Sequence, residues 1–230
     1  MLAPISVIIP SYQAERYLPE TLASVAAQTM RPQEVIVVND GSTDRTEEIA
    51  RLSGARILNN EHNLGLAESL NRGISNAVCE WLGFVDADDL WLPEKIERQW
   101  QSLEQMEDDQ ENTCIFSHIE QFISPDLSPE DQARIPIDKK ILPAPFKSTL
   151  LAHRSVFERV GQFDSRWRVG EFIDWYARAK ELNVKEIMLP EVLAKRRIHS
   201  TNMSRKDSSE RQDMAKILLE SIKRRRSKNP

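Results

Sequence analysis

EWLGFVDADDLWLP, residues 80–93, is an apolar run that ends in three carboxylates, Asp86, Asp88 and Asp89, and then meets a proline. A folded chain keeps like charges this close only where solvent or a cation offsets their repulsion. The stretch reads either as an acidic loop facing water or as a seat for a divalent metal at the end of a buried strand. What flanks it decides between them.

Upstream, ISVIIP (5–10), EVIVVND (34–40) and ARILNN (55–60) are short, β-branched or apolar runs of strand type, and EWLGFV (80–85) is a fourth. Helical patterns lie between them. Pro19 suits a first turn, with Leu18, Leu22 and Val25 on one face. Asp44 and Glu47 stand at capping-box spacing, and Gly54 marks a helix end. Leu66, Leu70, Ile74 and Ala77 recur at helical period, and Pro93 opens a helix that turns Ile96, Trp100 and Leu103 inward. This alternation predicts an α/β fold, a Rossmann-like, mostly parallel sheet with helices on both faces. Such sheets bind ligands at the carboxyl ends of their strands. Those ends carry Pro10-Ser11-Tyr12, Asn39-Asp40-Gly41, the segment from Asn59 to Asn63, and Asp86 to Asp89. Four polar clusters on one rim favour the metal seat over the solvated loop.

The alternation stops after residue 107. TCIFSHIEQFI (113–123) reads as a further strand, and residues 124–146, rich in proline and acid, as an irregular excursion or lid. A strand, a short helix and a helix from about 171 to 182 follow, then two short strands and a polar tail within KEIMLPEVLAKRRIHSTNMS. A last helix begins near Ser208 and ends in the basic run KRRRSK. Residues 1–204 are thus expected to form one domain, with a nucleotide-binding half (1–107) and an acceptor-side half (108–204), and 205–230 a charged helical tail.

Composition narrows the classes. Hydrophobic residues make up 40% and charged residues 29%, with a net charge of −5, which is ordinary for a globular protein and gives no reason to expect nucleic acid as a partner. Cys79 and Cys114 form no CxxC pair and predict free thiols in a reducing compartment. No basic leader and no apolar span of bilayer length is visible, so the expected location is cytoplasmic. SVIIPSYQ lacks the glycines of a dinucleotide fingerprint, and no P-loop or G-x-S-x-G elbow occurs. An acidic D-x-D at a strand end remains. Such carboxylates hold Mg²⁺ or Mn²⁺, which bridges diphosphate oxygens.

SVIIPSYQAERYLPETLASVAAQT, EVIVVNDGSTDRT, NLGLAESLNRGI and LGFVDADD together resemble, in order, the nucleotide-binding motifs of the large inverting glycosyltransferase family 2, which has the GT-A fold. The resemblance runs over residues 5–100 and is looser from 145 to 204, where HRSVFERVGQFDSRWRVGEFIDWYARA is similar to the family's acceptor-side segment. It implies metal-dependent, inverting transfer of a sugar from a nucleotide-diphosphate sugar, UDP-linked, to an acceptor whose class the sequence does not reveal. It also implies roles for matching positions. Pro10, Ser11 and Tyr12 match the end of the first strand at base and ribose. Tyr12 would stack on a base or pack locally. Asp40 matches the carboxylate that reads the base, or else caps the NDGS turn; Asn39 stands where many relatives carry a second aspartate. Asn63, Gly65 and Asn71 match the segment along the nucleotide, Gly65 also serving as a turn into the helix. Asp86 matches the ribose position and Asp88 the principal metal ligand, while Asp89 is either a second-layer group or a helix cap. His199 matches a histidine that approaches the metal, against a purely structural role.

Inversion needs a carboxylate to take the acceptor's proton. Relatives carry Glu-Asp where this chain has Glu171-Phe172, so the base is Glu171 or Asp174, unless both only cap a helix and catalysis is lost. Trp167 and Trp175 would wall an acceptor site or join the core. Arg196 and Arg197 are candidates for the diphosphate. The basic C-terminus is a solvated tail or a peripheral membrane contact. Two alternatives stand beside the transferase: a non-catalytic nucleotide-sugar-binding module, and a sugar-phosphate nucleotidyltransferase, whose glycine-rich G-x-G-T-R loop is missing here.

Overall fold

Strand β1 (Leu2–Ser11) alternates its side chains between two apolar layers. Ala3, Ile5, Val7 and Ile9 enter one cluster and Ile8 the other. Such two-sided burial is what a continuous apolar strand requires. In the computed structural model, which describes residues 2–135, 137, 140–200, 202 and 209–228, β1 is central. It pairs in parallel with β2 (Arg31–Asn39) and β4 (Trp81–Phe84), and β2 pairs in parallel with β3 (Arg56–Asn59). Helices α1 (Leu18–Ala26), α2 (Thr46–Leu52) and α4 (Lys95–Glu104) supply Leu18, Leu22, Val25, Ala50, Ile96 and Leu103 to the first layer. Helices α3 (Leu66–Asn76), α6 (Arg154–Val160) and α7 (Glu171–Glu181) supply Leu70, Ile74, Val156, Phe157 and Trp175 to the second. The α/β architecture with helices on both faces holds.

Beyond β4 the sheet turns mixed. β8 (Leu151–His153) runs antiparallel to β4, and β6 (Thr113–Ile123) antiparallel to β8. Two reversals restore the direction of β1, so β6 and its parallel partner β9 (Lys185–Ile198) end on the same rim as β1, β2 and β4. The short β5 (Leu90–Trp91) then pairs antiparallel with β9, Leu90 opposite Lys195, completing the order β3-β2-β1-β4-β8-β6-β9-β5. This topology brings residues a hundred positions apart together at the acidic cluster.

Three local expectations are corrected. β9 is one strand rather than two; its register on β6 shifts around Pro190, which lacks a ladder donor, and then resumes. The 44–47 capping box is absent. Asp44 accepts from the amide and hydroxyl of Thr46 and from the Glu15 amide, so helix α2 starts at Thr46 and Glu47 pairs with Arg51. The 124–146 segment contains a helical turn, α5 (Pro129–Ala133), and a strand, β7 (Ile141–Leu142), on β6. Thr201, Met203 and Ser204 of the expected polar tail, and residues 205–208 of the charged tail, lie outside the described residues. No described helix is long and apolar enough to cross a membrane. Cys79 and Cys114 are free and buried, and burial pushes the Cys114 thiol up.

Among the described residues, one lysine is buried without a carboxylate partner. Lys95, at the first position of α4, is 1% exposed; Nζ donates to Gln99 Oε1 at 2.7 Å and sits 3.9 Å from the Trp91 ring centroid. Desolvation holds its pKa well below the ordinary 10.5. Between the depressed value and 10.5 the unfolded chain carries a proton that the folded chain does not, so stability rises with pH through that window. Lys95→Met should remove this rise in a urea-denaturation series across alkaline pH. It should also stabilise the chain at neutral pH, because the desolvation of the Lys95 ammonium is then removed.

Candidate active site

The rim is built from strand ends that continue the ladder into loops. The Asp40 amide donates to Ser11 O and the Asn60 amide to Asn39 O, both at 2.9 Å, so Ser11, Asp40 and Asn60 stand side by side. Pro10 and Ser11 are buried, whereas Tyr12, one residue further, is 53% exposed. The cap of the NDGS turn is Asn39, whose Oδ1 accepts from the Ser42 amide while Nδ2 donates to Asn59. Asp40 is thereby released for another task. Buried at 4% exposure, its Oδ1 accepts from Asn60 Nδ2 (2.6 Å) and the Leu64 amide (2.8 Å), and its Oδ2 from the Gly65 amide (2.9 Å).

Asp40 therefore fixes the 60–65 loop over its own strand end. Gly41 permits the approach, since a Cβ there would lie 2.6 Å from the His62 carbonyl carbon, and its φ is +70°. Gly65 turns the chain into α3 at φ +95°, and Asn63 is exposed on the loop. Asn71 faces elsewhere. Its amide donates to Phe163 O (2.8 Å) and accepts from Phe163 N (2.9 Å), which ties α3 to the segment before α7.

The acidic cluster is neutralised from within. Lys147, in a 3-10 turn (Lys147–Thr149) beside β4, places Nζ 2.9 Å from Asp86 Oδ1 and 3.3 Å from Glu171 Oε1. Burial opposes the ammonium charge, but the two carboxylates outweigh it and hold Lys147 above the ordinary lysine range. Asp86 keeps 37% of its side chain accessible, yet desolvation raises its carboxyl; Lys147 pulls it back and Asp88 adds to the rise. Asp89 is neither exposed nor a helix cap. Its Oδ2 accepts from Ser148 Oγ (2.6 Å) and its Oδ1 from the Arg197 amide (3.0 Å). Burial, with Asp88 and Asp86 nearby, pushes its carboxyl well up.

Asp88 is the carboxylate left at the opening. His199 Nε2 lies 2.8 Å from Asp88 Oδ2, and Asn202 Nδ2 donates to the same oxygen at 3.1 Å. Asn202 also accepts the His199 amide, and the Tyr17 ring centroid is 4.6 Å from that of His199. The arrangement follows from register, because β5 pairs with β9 and carries Asp88 past the end of β9, where His199 emerges. One carboxylate oxygen and one imidazole nitrogen meeting at a point, with 28% of the Asp88 side chain open, suit a divalent ion that keeps positions for other ligands. Arg197 is not aimed at this opening. It is 2% exposed, and its guanidinium donates to Asp88 O, Ser124 Oγ and Glu20 between the Tyr17 and Phe122 rings. Arg196 lies over Phe146.

The two base candidates separate. Glu171 opens α7 and touches the cluster through Lys147. Asp174, 2% exposed, gives one oxygen to Arg178 Nε (2.8 Å) and the other to Arg224 (3.4 Å), away from Lys147's carboxylate pair. Phe172 stacks toward Trp175 and Tyr176. Trp175 is core, its Nε1 donating to Gly161 O, whereas buried Trp167 has no hydrogen-bond partner for Nε1 among the described residues. Lys147 carried no signal in the sequence, since a lone lysine in FKSTLLAH gains meaning only from the strand beside it.

A sequence model described as Glycosyl transferase family 2 matches residues 6–165. An uncharacterized glycosyltransferase of Rickettsia typhi is 33% identical over 211 residues, covering 85% of this chain and 64% of the relative. One from Rickettsia prowazekii is 31% identical over 229 residues, covering 91% and 70%. Among solved structures, S. aureus TarS 1–349 in complex with UDP-GlcNAc superposes with a TM-score of 0.72 at 20% identity, over 94% of this chain and 66% of that one. This chain thus spans less than two thirds of the length of the R. typhi relative and of the TarS chain.

Proposed function

Since the chain belongs to glycosyl transferase family 2, we propose that it transfers a sugar from a nucleotide-diphosphate sugar to an acceptor hydroxyl, with inversion at the anomeric carbon. The observation that carries the reading is the convergence of Asp88 and His199, 111 positions apart, beside an Asp86–Lys147–Glu171 chain at the carboxyl rim. The donor is a UDP-sugar in this proposal, supported by the likeness of the fold to TarS, which was solved with UDP-GlcNAc.

Tyr12, exposed beyond the end of β1, would stack on the base. Asp40, with acceptor capacity left on Oδ2, is the candidate partner for uracil N3–H, and Asn63 and Gly65 lie on the loop it holds. Asp86 takes the ribose hydroxyls through its open side. Asp88 and His199 would hold Mn²⁺ or Mg²⁺, which when bound supplies positive charge to the leaving diphosphate. Glu171 accepts the acceptor's proton as the hydroxyl oxygen bonds to the anomeric carbon and the bond to the diphosphate breaks. Lys147 orients Glu171 for that transfer. Asp174 is left as a structural anchor of α7.

The test is direct. The protein is incubated with a panel of UDP-, GDP- and dTDP-sugars, and nucleotide release is followed with and without Mn²⁺. Faster release from UDP-sugars than from the others supports the reading, and a protein that binds UDP tightly yet releases none at any acceptor tried would be a binding module.

A further inference from the structure

The last helix is docked by its more polar side. In α8 (Ser209–Lys228), Ile217 and Ser221 are 3% and 5% exposed; Ser221 Oγ donates to Glu181 Oε1, and Arg224 reaches Glu181 and Asp174 on α7. A Cβ on Gly170, the residue before Glu171, would lie 2.8 Å from Ile217 Cδ1. The opposite side holds Leu218, Leu219 and Ile222, which are 62%, 56% and 38% exposed. At helical spacing these three share the outer face, and exposed Lys223, Arg225 and Arg226 continue it by one turn. The acidic side chains on this part of α8 are paired, Asp213 with Lys216 and Glu220 with Arg166.

We propose that this face of α8 lies on an anionic lipid surface, with the apolar row in the headgroup boundary and the three cations on lipid phosphates. An outward row of large apolar side chains marks an interaction surface. Cations at its end select what covers it, because an interfacial helix gains from both terms. A two-fold contact through this face would set the three cations of one copy against those of the other, so the basic turn is complementary to anionic lipid and not to the same face of a second copy. The docking stands apart from the transferase reading.

The experiment is flotation of the full chain with vesicles of phosphatidylcholine alone and of equimolar phosphatidylcholine and phosphatidylglycerol. Binding to the mixed vesicles only, weakened by salt, is expected. Joint Lys223→Gln, Arg225→Gln and Arg226→Gln should lower partitioning on the order of 100-fold. Leu218→Ser with Leu219→Ser should release the protein without changing its melting temperature or UDP binding. Equal binding to neutral vesicles, or none to either, overturns the proposal. So does a concentration-dependent dimer that the leucine pair abolishes, since a second copy would then be the occupant.

Discussion

Glu171→Gln is expected to lower the rate of UDP release from the donor by about 10²- to 10⁴-fold, the span assigned to a positioned general base. Donor affinity should change by no more than about twofold, because the group acts on the acceptor's proton and not on the nucleotide. Asp174→Asn is the control and should behave differently. Both Asp174 oxygens are engaged by arginines, so its amide variant should lose about 1–3 kcal/mol of stability and keep turnover within an order of magnitude at a permissive temperature. Steady-state rates and urea denaturation on both variants separate the two roles. If Asp174→Asn abolished turnover while Glu171→Gln did not, the assignment of the base would reverse.

Lys147→Met should be the most destabilising single change at the rim. It leaves Glu171, 7% exposed, and Asp86 without their shared cation. Breaking a buried pair typically costs about 3–5 kcal/mol, and the 37% opening of Asp86 reduces the expected loss to about 2–3 kcal/mol. The sharper readout is a double-mutant cycle with Glu171→Gln, for which the 3.3 Å contact predicts a coupling of about 1–3 kcal/mol in equilibrium denaturation. Strict additivity would mean that Lys147 does not hold Glu171.

The first hundred residues were legible because the strands and helices there show their own apolar periods, several with a Pro or Gly at one end. The strand ends followed, and with them the placement of Asp40, Asp86 and Asp88 on one rim. What a one-dimensional pattern could not show was pairing at long range. That β8 inserts antiparallel beside β4 is decided by packing, and it is this insertion that sets Lys147 against Asp86. His199 was readable only through resemblance; its meeting with Asp88 depends on the register of β5 on β9. Asn71 and Arg197 show the converse. Polar residues inside well-matched motifs proved to be turned onto backbone, because a buried carbonyl or amide must find a partner before a ligand can. The two base candidates share a helix one turn apart, so sequence left both open; the contact of Arg224, fifty residues away, with Asp174 is what favours Glu171 in the proposal.

The central claim is that EWLGFVDADD carries its carboxylates to the rim in order to hold a cation beneath a nucleotide diphosphate. The most direct measurement is calorimetric titration of UDP into the protein, with Mn²⁺ and with EDTA, for the parent chain and for Asp88→Asn. The account predicts binding that needs the metal and falls by about 10- to 100-fold in Asp88→Asn. UDP binding of equal strength in EDTA, or undiminished in Asp88→Asn, would contradict it.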